Sequence, residues 1–254
     1  MEKYLITHSR YINNSIVHTR VNDAMEKLAG LLFRGVSFDS ESLQTLKDYH
    51  GKGRTAYVSF QSSSTPLLIL VNLLRRNGAP VPELALGFTP HLVQAIVNFG
   101  AAAALLFKQY ILRKKIENVS DFDYIRGIVQ GNRALILSLL SRRMFIRRYI
   151  EIKTDNIQYL VEVQKLIDEP IFLFPQILFW NQNPERTHSL VTSRATGDRG
   201  FISGLLTVLK SSTPSFIRIP PPINLKEEIG RSLNDDTKQI ARRIRYRLLE
   251  IYSQ

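Results

Sequence analysis

Histidine is the side chain best suited to general acid or base catalysis near neutral pH, and this chain contains five histidines. None has a second histidine or a carboxylate at the spacing of a metal-binding helix motif such as H-E-x-x-H. Glycine-rich phosphate loops and G-x-S-x-G are absent, and the lack of cysteine excludes thiolate catalysis and disulfides. The sequence therefore predicts neither a metal nor a cofactor. The histidines are His8, His18, His50, His91 and His188.

Basic residues give the clearest positive signal. The chain has 34 Lys and Arg against 22 Asp and Glu, a formal net charge of +12. Such a charge indicates a polyanionic neighbour, which could be nucleic acid, an anionic membrane or a phosphorylated substrate. Arg142 and Arg143 are the best placed, because they follow a buried strand and α/β sheets bind ligands at the carboxyl ends of their strands. The other basic clusters are 113–115, 147–148 and 242–247.

The stretch YVSFQSSSTPLLIL, residues 57–70, resembles a strand that enters a turn at the start of a helix. Enzymes often keep a reactive group at such a turn. Here, however, no ionisable side chain lies between Tyr57 and Arg75. A simpler interpretation is a Ser/Thr-rich helix N-cap, which needs no ionisable group.

The elements around this turn alternate between strand and helix patterns. This alternation predicts an α/β domain with a mixed, mainly parallel sheet flanked by helices. We expect an N-terminal helical segment at 1–50, the α/β domain at 51–230 and a C-terminal basic helix at 231–254. Strands are predicted at 55–60, 134–140, 171–180 and 216–219, and helices at 5–33, 38–49, 66–76, 89–107, 201–209 and 235–252.

Membrane spanning is not expected. The first 15 residues lack the apolar core of a signal peptide. The most apolar long segment, residues 92–107, includes Gln94 and Asn98 and is shorter than the roughly 20 residues a bilayer span needs. These features predict a cytoplasmic protein that associates peripherally with the inner face of the membrane.

Several blocks together carry a resemblance to a known family. The blocks are the strand, polar turn and helix at 57–76, NGAPVPELALG at 77–87, FGAAAA at 99–104, the strand and arginine at 134–142, PIFLFPQI at 170–177 and IRIPPPINLKE at 217–227. Their order and spacing resemble the bacterial glycerol-3-phosphate acyltransferase family and its dihydroxyacetone-phosphate relatives. The resemblance covers roughly residues 50–250.

The resemblance also shows where the family's catalytic dyad is replaced. The family's H-x-x-x-x-D motif leads into an apolar helix, which places Phe60 at the histidine and Thr65 at the aspartate. In such enzymes the histidine removes the proton of the attacking hydroxyl, and the carboxylate orients the imidazole. Phenylalanine has no proton-accepting atom, so the family mechanism cannot operate with these residues. His91, at the start of the second-block helix, is the possible substitute base.

The family's phosphate-binding positions are only partly retained. Its E-G-x-R-S block aligns with Leu139-Leu140-Ser141-Arg142-Arg143, which keeps the arginine but loses the glutamate and glycine. The second block lacks its arginine, and Lys108 is the nearest cation. The resemblance therefore implies a phosphate site formed by Arg142, Arg143 and Lys108.

Three functions follow as expectations. The first is a catalytically degenerate acyltransferase-like protein of phospholipid metabolism that binds acyl-CoA, acyl-carrier protein, phospholipid or a partner enzyme at an anionic membrane surface. The second is an active acyltransferase that uses His91. The third is a basic nucleic-acid-binding module, which no recognised motif favours, so nucleic acid is not an expected partner.

Overall fold

The computed structural model of the chain describes residues 30, 33–61, 64–84, 121–140, 156–179, 216–231 and 235–253. These residues form a seven-stranded sheet with helices on both faces, which confirms the predicted α/β class with a mixed, mainly parallel sheet. The strands are β1 (Ser37–Phe38), β2 (Arg54–Gln61), β3 (Glu83–Leu84), β4 (Leu135–Leu140), β5 (Ile171–Phe179), β6 (Phe216–Arg218) and β7 (Ile223–Asn224). The helices are α1 (Ser40–Tyr49), α2 (Ser64–Arg76), α3 (Asp121–Gln130), α4 (Asn156–Gln164), α5 (Leu225–Gly230) and α6 (Thr237–Ser253).

The centre of the sheet is parallel. Its strand order is β1-β6-β5-β2-β4-β3, and β7 pairs with β5 outside this path. Strands β3, β4, β2 and β5 are mutually parallel, whereas β6 and β7 run antiparallel to β5. The predicted strands of the described part are therefore confirmed, each within one or two residues.

The two faces of the sheet carry separate hydrophobic clusters. We call the side that bears Tyr57, Ile136 and Phe174 the α2 face, because α2 packs there. Leu46 of α1 packs on the same side, as do Phe33 and Val36, which precede β1. The opposite side bears Ala56 and Val58. We call it the α6 face, since α3, α4 and α6 pack on it. A strand sends successive side chains to opposite faces, so one stretch of β2 contributes to both clusters.

Local signals explain where the predicted helices begin and end. Helix α1 starts after Asp39, whose carboxylate accepts a hydrogen bond from the Ser42 amide at 2.8 Å. Helix α2 ends at Arg76 and is closed by Gly78, where φ is +67° and the Ala79 amide donates to the Leu74 carbonyl at 2.9 Å. This is the Schellman arrangement, which glycine accommodates without strain. In α6 the predicted stripe is buried, as shown by Ile240, Ile244, Leu248 and Tyr252.

Three helices were missed by the sequence analysis, namely α3, α4 and the short α5. Helix α3 buries Tyr124, Ile125, Ile128 and Val129 at helical spacing, so its signal was present in the pattern. Predicted helices at 5–33, 89–107 and 201–209 lie almost entirely outside the described residues. Segment 33–49 contributes to the cluster of the α2 face and helix α6 to the cluster of the α6 face. The domain boundaries at 50 and 231 stay predictions.

An ion pair fixes the short strand β3 at the edge of the sheet. Glu83 is almost fully buried, and Arg133 Nη1 lies 3.0 and 3.1 Å from its two carboxylate oxygens. Arg133 also donates to the Gly127 carbonyl at 3.2 Å. A buried carboxylate needs such a partner, so this pair is structural. In the described parts of the helices, no segment is long and apolar enough to cross a membrane.

The close approach of Gly53 to the chain before β5 makes a testable prediction. A β-carbon built on Gly53 would lie 2.2 Å from the Pro170 carbonyl oxygen, which cannot move without shifting the β2–β5 pairing. We expect Gly53→Ala to lower the free energy of unfolding by about 1–3 kcal/mol, measured by urea denaturation. Gly127→Ala is the matched control, because Gly127 is helical and has open space around it. This control should raise stability by about 0.5–1 kcal/mol, and equal effects of the two variants would contradict the prediction.

Candidate functional site

Three polar side chains lie side by side near the carboxyl ends of the central strands. The register pairs Ser59 of β2 with Ser138 of β4 on one side and with Gln176 of β5 on the other. All three are buried, with exposed fractions of 5%, 2% and 7%. We call these three residues the polar row.

The polar row lies on the α2 face. Ser59 follows Tyr57 by two residues, as Ser138 follows Ile136 and Gln176 follows Phe174, and side chains two apart in a strand share a face. The preceding row of Tyr57, Ile136 and Phe174 belongs to the cluster beneath α2. The α2 face therefore changes from apolar to polar as the strands approach their carboxyl ends.

The helices that follow the neighbouring strands β2 and β4 lie on opposite faces of the sheet. After β2 the chain forms α2, on one face, whereas α4, the helix between β4 and β5, packs on the other face. Strands β2 and β4 are direct neighbours, and the described helices that follow them, α2 and α4, pack on opposite faces. This is a topological switch point, the position at which open α/β sheets bind their ligands.

Gln176 differs from the two serines in its hydrogen bonding. Ser59 and Ser138 both have interaction partners. Neither Nε2 nor Oε1 of Gln176 has a hydrogen-bond partner among the described residues, although both atoms are shielded from solvent. An unpaired buried polar group costs about 1–3 kcal/mol, so the carboxamide is retained at a cost to folding.

Tyr252 of α6 links β2 and β5, two of the three strands that carry this row. Its hydroxyl donates to the Val58 carbonyl at 2.5 Å and accepts from the Gln176 amide at 3.2 Å. Burial raises the pKa of Tyr252 far above its ordinary value, so the hydroxyl stays protonated and donates. The C-terminal helix thereby stabilises the carboxyl ends of β2 and β5.

Phe60, the predicted position of the family's base, faces away from the polar row. Its half-buried ring lies on the α6 face, with its centroid 5.3 Å from that of Tyr252. The side chain of Thr65 is not among those described. His91, Arg142, Arg143 and Lys108 lie outside the described residues, so the substitute base and the phosphate site stay predictions.

The arginines of α6 are largely engaged within the protein. Arg247 and Arg231 both bond the buried carboxylate of Glu228, and Arg243 pairs with Asp235 at 2.9 Å. Arg245 donates to the Leu139 carbonyl at 2.8 Å, near the end of β4. Much of this basic cluster therefore has a structural role, which lessens its weight as a signal for a polyanionic ligand.

The polar row can bind a polar group, but its three described residues include no group suited to proton transfer. The polar row contains two hydroxyls and one carboxamide, none of which is charged at neutral pH. Across the described ranges, no cluster of three His, Asp or Glu could hold a metal ion. The sequence analysis missed all three residues, although each interrupts an apolar strand, in YVSFQ, LILSLL and FLFPQIL.

Comparison with known proteins adds no identification, since no protein-family model matches the chain and no curated protein matches it.

The bridging role of Tyr252 predicts a stability change. Tyr252→Phe removes a buried hydroxyl, so the Val58 carbonyl and the Gln176 amide each lose this hydrogen-bond partner. We expect a loss of about 1–3 kcal/mol in the free energy of unfolding, measured by chemical denaturation. Tyr246→Phe on the same helix is the control, because Tyr246 is 73% exposed and should change stability by less than about 0.5 kcal/mol. If the Tyr252→Phe variant were as stable as this control, the hydrogen bonds of Tyr252 to β2 and β5 would not contribute to stability, which would contradict the prediction.

Proposed function

We propose that the protein is a catalytically degenerate glycerolipid-acyltransferase-like protein that acts at or near a membrane in phospholipid metabolism. It binds a lipid, an acyl chain or a partner enzyme and does not transfer acyl groups. The position of Phe60 is the observation that carries this proposal. The mainly parallel sheet with helices on both faces fits the resemblance in its order of elements.

A general base has to reach the hydroxyl whose proton it removes. Phe60 instead packs on Tyr252, and the Tyr252 hydroxyl is held between Val58 and Gln176. Tyr252 cannot serve as a replacement, because burial raises its pKa and keeps it protonated. At the carboxyl end of β2, Phe60 therefore contributes to packing, at the position where the resemblance implies a catalytic histidine.

Binding capacity is supported by separate features. The polar row occupies the switch point at the carboxyl ends of β2, β4 and β5. The net charge of +12 favours association with anionic lipid, since basic residues contribute roughly 1 kcal/mol each near such a surface. A binding protein that has lost catalysis accounts for both features.

An acyl-transfer assay tests the loss of catalysis. With glycerol 3-phosphate and either acyl-CoA or acyl-carrier protein, we expect no turnover above background by the wild type. The double variant Phe60→His with Thr65→Asp should give at most trace transfer, because Leu139 and Leu140 replace family residues that position substrate. Positioning is decisive in bimolecular transfer, with effective molarities of ~10⁵ M or more.

His91→Ala tests the alternative hypothesis, in which the protein is an active acyltransferase. Wild-type turnover that this substitution abolishes would overturn the proposal in favour of an active acyltransferase with His91 as its base. Folding of each variant is checked by circular dichroism. Phe60→His is expected to cost roughly 1–2 kcal/mol of stability, since its ring is only half-buried.

A liposome flotation assay tests the membrane part. We expect the protein to float with vesicles that contain phosphatidylglycerol and to remain in solution with neutral phosphatidylcholine vesicles. High salt should weaken the association, because screening shortens the range of surface electrostatics. Equal behaviour with both kinds of vesicle would remove membrane binding from the proposal.

A further inference from the structure

The unpaired carboxamide of Gln176 is the feature that the fold itself does not explain. Buried carboxamides normally have partners, yet neither polar atom of Gln176 has one within the described part of the chain. An apolar side chain of similar size, such as methionine, would fill the same volume without an unpaired group. The position therefore has the properties of a binding subsite.

The residues around Gln176 restrict the charge and polarity of a ligand that could bind there. Ser59 and Ser138 are uncharged neighbours in register, and the first turn of α2, on the same face, contains no acidic residue. Further along β5, Leu178 belongs to the apolar cluster of the α2 face and pairs with Ile217. A ligand at this edge meets polar groups at Gln176 and apolar groups beside them.

The geometry of a carboxamide restricts the ligand further. Its donor and its acceptor lie side by side in one plane, and the best complement is another planar group with one acceptor and one donor. A primary amide or a protonated carboxyl group provides this pair. A carboxylate or phosphate has no proton for Oε1, and the polar row has no cation to stabilise a charge that burial disfavours.

We propose that Gln176, with Ser59 beside it and Ser138 one strand further, binds the uncharged head group of an acyl chain, either a protonated fatty acid or a primary fatty amide. The head group donates to Oε1 and accepts from Nε2, and the chain runs toward Leu178 and Ile217. This inference rests on the proposed function, which supplies an acyl ligand. Both polar atoms are shielded from solvent, so the ligand enters by displacing neighbouring side chains at the carboxyl edge.

The test uses octanamide and octanoic acid as probes for the full-length protein labelled with ¹⁵N. The side-chain NH₂ signal of Gln176 is assigned by its loss in Gln176→Met. We expect octanamide to shift this signal with the same affinity at pH 6 and pH 8. The affinity for octanoic acid should fall about tenfold per pH unit above the pKa of the acid, in proportion to its protonated fraction.

The variants separate this subsite from other apolar surfaces. Gln176→Met should bind octanamide about tenfold more weakly or worse, because the amide then loses both partners. Its melting temperature should equal or exceed that of the wild type, which shows that the loss is not due to unfolding. Gln44→Met is the matched control, because Gln44 is exposed and bonds only Asp48 among the described residues, so it should bind like the wild type.

Three results would overturn the subsite. Equal octanamide binding by the wild type and Gln176→Met would place the head group elsewhere and leave the proposed function intact. Octanoic acid binding without pH dependence would mean that the charged form is bound. No binding of either probe, with flotation on anionic vesicles retained, would mean that Gln176 is satisfied by an internal water only, whereas loss of flotation as well would also remove membrane binding from the proposed function.

Discussion

The parallel register of β2 with its two neighbours is the constraint on which the rest of the structure depends. It sets Ser59 between Ser138 and Gln176, and it assigns every side chain of the central strands to one face. A shift by one residue would move the polar row into the α6 face and bring Val58 toward α2. The two hydrophobic clusters oppose such a shift, because each buries one set of alternating residues.

Helix α6 acts on the same strands from the opposite side. Its buried stripe covers the α6 face, and Tyr252 near its end bonds the backbone of both β2 and β5. Its arginines bond Glu228, Asp235 and the Leu139 carbonyl. The sequence of α6 is that of a basic surface segment, but the helix is an integral part of the domain. Several of its arginines form ion pairs or hydrogen bonds within the fold.

Much of the fold followed from local patterns. Apolar runs indicated β2, β4, β5 and β6, the Asp39 cap and the Gly78 terminus set helix ends, and the stripe at 240–252 predicted the buried face of α6. Helices α3 and α4 carried similar patterns, which the sequence analysis did not use. The order of the strands could not be read in this way, because pairing joins residues such as Ser59 and Gln176 that are distant in the sequence.

The sequence by itself determined the α/β class, the absence of thiol chemistry and the presence at position 60 of a phenylalanine, which has no proton-accepting atom, since these depend only on residue type and local periodicity. Only the tertiary structure decided that Phe60 packs against Tyr252 and that Ser59, Ser138 and Gln176 are buried in one row. The physical reason is that burial and pairing are properties of neighbours in space. A serine or glutamine inside an apolar run becomes a candidate ligand-binding group only when adjacent strands place other polar groups beside it.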